Sequence, residues 1–188
     1  MLKLIPVGLH AYIMAVLLLA LPFPSHVSAN SANPTQSYSQ SELSALLKEA
    51  NSLAGVDNEQ SELLATKVAN HSKNQYPSYA ADAHTLLADL YKSEHKNKQA
   101  AKEHYSQAAA NYLKAENIRQ YIFKTIDFTK LLFSEKHYNL AFVELEKSLP
   151  IALQNDDILL AVRVLELQGR ILYEQKRYSE SKHTYNTA

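Results

Sequence analysis

An all-α fold of stacked helix pairs is what this sequence predicts, and three observations carry the prediction. The first is a period of forty residues. Ser61, Ala101, Ala141 and Ser181 are forty apart and all small. Four residues on from each stand Ala65, Tyr105, Leu145 and Tyr185, and three further on Val68, Ala108, Ser148 and Ala188. Spacings of four and three keep each trio on one face of a helix. The second observation is a shortage of glycine: 3 in 188 residues leave few sites for tight hairpin turns between strands. The third is the abundance of Ala, Leu, Lys, Glu and Gln, which favour helices. A unit recurring at this interval buries its apolar face only against its neighbours, so the fold class is a solenoid of helix pairs.

Residues 1–29 stand apart from that pattern. Lys3 is the only Lys or Arg among them, and no acidic residue precedes Glu42. Ala11–Leu21 is an unbroken apolar run, Pro22 and Pro24 follow, and Val27-Ser28-Ala29 supplies small residues where a signal peptidase reads. The segment therefore reads as a signal peptide cleaved after Ala29, with export to a compartment such as a bacterial periplasm as its consequence. The rival is an uncleaved membrane anchor, for which the run falls short of the ~20 apolar residues that a span needs. Residues 30–40 are polar, carry Pro34 and read as a flexible tether.

From residue 41 to 188 the pattern is helical, and each element has its own signal. Leu43, Leu46, Leu47, Ala50 and Leu53 form a stripe that ends near Gly55, a residue suited to a helix C-terminus. A second helix spans about 58 to 73 through Leu63, Leu64, Val68 and Ala69. Pro77 suits the first turn of a third, which carries Ala83, Leu86, Leu87, Leu90 and Tyr91. After the polar stretch 93–99 comes a helix with Ala101, Tyr105, Ala108, Tyr112 and Ala115. Asn117 opens a helix rich in aromatics, Tyr121, Phe128 and Phe133 among them. The next carries Ala141, Leu145, Leu149 and Ala152, with Pro150 expected to kink it or end its regular hydrogen bonding. Asp156-Asp157 starts a helix with Leu160, Val164, Leu165, Leu167 and Leu172, and a last helix begins near Tyr178. Together these make four helix pairs.

The organisation resembles the tetratricopeptide repeat family, whose unit is two antiparallel helices with small and aromatic residues at set places. The last unit carries the resemblance best. Gly169 falls at the small position of its first helix, Tyr178 opens its second, and Ser181, Tyr185 and Ala188 complete the series. One unit earlier, Tyr138, Ala141, Leu145 and Ser148 occupy the same places, with Thr129 for the glycine. The unit before that has Ala101, Tyr105 and Ala108 and a longer turn, and the first matches mainly by small residues. The resemblance implies a right-handed superhelical solenoid of antiparallel helix hairpins. The chain departs from the family in using forty residues where ~34 is common, in having no Trp to open a first helix, and in ending no unit with Pro.

Composition narrows the function. Lys+Arg and Asp+Glu both number 19, so the chain has no net charge to attract nucleic acid. No cysteine is present, which excludes disulfides, thiolate metal sites and a cysteine nucleophile. His71, His84, His95, His104, His137 and His183 contain no pair at helical spacing, so no metal ligand set is expected and they read as solvated residues. Gly8, Gly55 and Gly169 are isolated and cannot form a phosphate loop. Glu144, Glu146, Asp156 and Asp157 follow helix faces or helix starts. Tyrosines 91, 105, 112, 173 and 185 recur at helical positions and read as core. No catalytic group and no cofactor are expected.

The inner face of such a solenoid is lined mainly by the first helix of each pair. In register with Gly169, the groove residues are Arg163, Glu166, Arg170 and Tyr173; one unit earlier they are Phe123, Ile126, Lys130 and Phe133. Arg beside aromatic residues suits a peptide with an acidic or carboxylate group. The expected function is thus an exported, non-enzymatic scaffold that binds a protein or peptide. The competing reading is the periplasmic sensor region of a membrane histidine kinase or diguanylate cyclase, which the long repeats and degenerate first pair resemble. Thr184–Ala188 falls within a helical pattern without the polar cap that closes a solenoid, which suits the sensor reading. A membrane contact is expected only through an uncleaved N-terminal segment or through sequence beyond Ala188.

Overall fold

The computed structural model describes residues 37–72, 74–155 and 157–188. The expected signal peptide, most of the tether, Lys73 and Asp156 lie outside the described residues. Eight helices occur among those described: α1 Gln40–Leu53, α2 Asn58–Ser72, α3 Pro77–Ser93, α4 Lys98–Lys114, α5 Ile118–Ser134, α6 Tyr138–Gln154, α7 Ile158–Glu174 and α8 Tyr178–Thr187. No strand accompanies them. None of these helices is long and apolar enough to cross a membrane. The second helix of each pair starts at residues 58, 98, 138 and 178, so the forty-residue period is one helix pair.

Local chemistry sets the helix starts. Ser39 caps α1 in a capping box: its hydroxyl accepts from the Glu42 backbone N–H, and the Glu42 carboxylate accepts from the Ser39 N–H at 2.8 Å. Asn97, Asn117 and Asp157 cap α4, α5 and α7 in the simpler way, each accepting from the N–H three residues on. Pro77 occupies the first turn of α3, where its missing N–H costs nothing. Pro150 lies inside α6, which runs on to Gln154; proline has no N–H to bond the carbonyl of Glu146, and the helix continues past that one missing bond.

Helix ends were the poorer guide. The glycine-poor sequence still makes left-handed turns, at Lys96, Glu116, Lys136 and Lys176 with φ of 51°, 56°, 61° and 62°. After α4, the Asn117 N–H donates to the Tyr112 carbonyl at 2.9 Å and the Glu116 N–H to the Leu113 carbonyl at 3.0 Å. The same two bonds follow α5 and α7. This is the Schellman arrangement, normally made with glycine at the left-handed residue.

Each helix packs on its chain neighbours, and α1 also touches α3 as α5 touches α7. One apolar cluster joins α1, α2 and α3 through Leu43, Leu64, Val68 and Leu87; another joins α5, α6 and α7 through Ile122, Leu145, Leu160 and Ile171. Ala88, Ala101, Tyr105 and Leu131 link the two across α4. The recurring trios lie buried in α2, α4 and α6. Small size is used for close approach: the Ser61 and Ser181 hydroxyls donate to the Ala50 and Gly169 carbonyls of the preceding helix, both at 2.8 Å. The Tyr185 ring covers Gly169 so closely that an added Cβ would meet it at 2.8 Å.

The tyrosines divide, which corrects the expectation that all five are core. Tyr105 and Tyr112 are buried and donate to Asp89 and Asp82. Burial first, then these carboxylates, push both phenols well above the ordinary tyrosine range, so they stay neutral. Tyr91 is only partly buried, while Tyr173 and Tyr185 are exposed, because α7 and α8 have no further helix packed over them among the described residues.

Candidate functional site

First helices α5 and α7 lie side by side, and an open cleft of about 390 Å³ runs between them. Helical spacing decides what faces it. Residues 123, 126, 127 and 130 share one face of α5, and 163, 166, 167 and 170 one face of α7. The cleft is lined by Phe123, Ile126, Asp127 and Lys130 from α5 and by Arg163, Glu166, Leu167 and Arg170 from α7. Two named candidates fall outside this lining. Tyr173 is exposed and packs edge-on against Tyr178 of α8 at 5.2 Å. Phe133 lies beneath the Arg170 guanidinium, 5.2 Å from ring centre to the guanidinium carbon.

The charges in the cleft are not balanced pairwise. Asp127 accepts from Lys124 at 3.0 Å and lies 3.8 Å from the Lys130 ammonium, so this carboxylate is already shared by two lysines. Arg163 lies over the Phe123 ring at 5.4 Å, as Arg170 lies over Phe133. Glu166 stands one helical turn from each arginine, yet neither guanidinium forms an ion pair with it. Each guanidinium instead lies within cation–π distance of an aromatic ring. Asp127 and Leu167 were missed by the sequence reading. Each is adjacent to a named residue and would have been found by following the same helical face by one more position.

Elsewhere the fold makes a contact that local spacing could not reveal. His84 of α3 and His104 of α4 bring their Nδ1 atoms within 3.1 Å, which corrects the view of these two as isolated solvated residues. They stand on either side of the turn at residues 94–97, and their contact is visible only once that turn is known to reverse the chain. Among the described residues no group of three or more His, Asp or Glu is placed to hold a metal ion. Compared with family models, curated proteins and solved structures, the chain matches none.

Proposed function

We propose that this chain is an exported helical-repeat module of the tetratricopeptide type, a right-handed solenoid, that binds an acidic peptide between α5 and α7. The observation that carries the reading is the pair Arg163 and Arg170, each seated on a phenylalanine ring without a carboxylate partner. A guanidinium held against a ring has lost part of its freedom before the ligand arrives, and its fork matches a carboxylate. Arg163 and Arg170 are seven residues apart on one helix, so about 10 Å separates them along the axis. A peptide in the polyproline conformation presents residues i and i+3 on one side at about 9 Å, close to that distance. Phe123, Ile126 and Leu167 supply apolar floor between the charges. Export rests on the apolar run and the Val27-Ser28-Ala29 site. N-terminal sequencing of secreted material is expected to begin at Asn30, and recovery of intact Met1 in membranes would show an anchor.

A fluorescent peptide with two glutamates three residues apart in an alanine background is the probe, and its glutamine counterpart is the control. Each charge-assisted contact contributes about 1.5–3 kcal/mol when shielded from water. Because both arginines are exposed, screening holds the gain to the low end. Changing Lys130, Arg163 and Arg170 to Gln together is expected to weaken the probe about tenfold or more, and the loss shrinks as salt rises. Equal affinity of the triple variant and the parent would remove the cleft from consideration.

A further inference from the structure

The His84–His104 contact has the geometry of a shared proton. The Nδ1 atoms are 3.1 Å apart while the ring centres are 5.3 Å apart, with planes at 27°. Both nitrogens therefore lie between the ring centres, close to the line joining them. One ring donates and the other accepts. Because the two nitrogens point at each other, the gap fits a proton shared along that line, whereas an ion bound to both at ~2.0–2.1 Å would have to sit off it. The Tyr91 ring stacks on His104 at 5.4 Å. Its hydroxyl donates to Glu62 of α2, whose other carboxylate oxygen is 3.1 Å from His95 Nε2 in the α3–α4 turn. Three helices and a turn meet at this cluster.

We propose that His84 and His104 form a proton-operated latch between α3 and α4, closed near neutral pH and opened in mildly acidic surroundings. Closed, the pair is joined by one N–H···N bond. A second proton turns both Nδ1 atoms into donors, so neither can accept from the other and two cations face each other at hydrogen-bond distance. The charged groups that face His104 are Glu62 from α2 and Glu103 from α4, with His95 of the turn held on Glu62. Lys124 and Asp127, which α5 turns toward α4, face Tyr105. Burial holds His104 below the ordinary histidine range, and the two carboxylates only partly oppose it. For a base with a depressed folded value, the unfolded chain takes up the proton first as pH falls through ~6.5. The contribution to stability is therefore complete above that pH and is lost as pH falls toward the folded value.

The test is an imidazole ¹⁵N NMR titration of the 188-residue chain from about pH 8 to 5, combined with amide hydrogen exchange. His84 and His104 are expected to titrate as a coupled pair. Exchange over residues 84–104, corrected for its intrinsic pH dependence, should rise about tenfold or more between about pH 7.5 and 5.5. His104→Gln keeps a polar side chain and should flatten that response to less than about twofold. The titration of the unaltered chain decides the matter even where the variant does not fold. Two independently titrating rings, or protection that does not change with pH, would overturn the latch. So would slowed exchange on adding Zn²⁺ at neutral pH, which would make the pair a metal site.

Discussion

Ala141 occupies the register position of Ser61 and Ser181 but lacks the hydroxyl that those serines donate to the preceding helix. The equivalent acceptor for residue 141 is the carbonyl of Thr129, as Gly169 is for Ser181. Thr129 is fully buried and its own hydroxyl has no partner. Ala141→Ser therefore adds a hydroxyl where an acceptor already waits, and should raise stability by about 0.5–1.5 kcal/mol. Ala141→Leu at the same fully buried point should lower it by about 1–3 kcal/mol through overpacking. Urea unfolding of both variants distinguishes a register built on close backbone approach, which gives opposite signs, from a merely apolar contact, which leucine would improve.

The turns provide the test at the scale of the element. Lys136 and Lys176 hold the left-handed position of two Schellman turns, a conformation costing an L-residue roughly 1–2 kcal/mol. Glycine removes that strain but frees the unfolded chain by about 0.4–1 kcal/mol. Lys136→Gly is therefore expected to stabilise by up to about 1 kcal/mol, and Lys136→Val to destabilise, since a β-branched side chain is the least tolerant of positive φ. Thermal unfolding of the two variants gives the ordering. Glycine below lysine would mean that the Lys136 side chain contributes more than its backbone costs.

At the scale of the whole molecule, no apolar cluster among the described residues extends from α1 to α8. Leu43 lies in the cluster of α1 to α3, and Leu160 in that of α5 to α7. Truncating either to Ala should cost about 2–5 kcal/mol at its own end. Nearest-neighbour packing transmits the loss only through α4. Hydrogen exchange should then show Leu43→Ala releasing amides of α1–α3 while α6 and α7 keep most of their protection, with the reverse for Leu160→Ala. Uniform loss across all helices in both variants would show a single cooperative unit instead.

The all-α class and most helix boundaries were readable from the sequence, because they depend on information a few residues wide. The i, i+3, i+4 pattern, the caps at Asn117 and Asp157 and the proline at position 77 each act within one or two turns. The α5 and α7 faces were readable for the same reason, and so Phe123, Ile126, Lys130, Arg163, Glu166 and Arg170 could be named together. The outward position of Tyr173 and Tyr185 was not, since burial depends on whether another helix follows, and no local pattern states that. The left-handed lysines escaped notice because a turn demanded by helix packing can force an unfavourable residue into its backbone. Tertiary structure alone decided that Arg163 and Arg170 lie on phenylalanine rings and that His84 meets His104. Both are contacts between different helices, whose distances follow from how closely the helices approach and at what angle, quantities set by the packing of many side chains together.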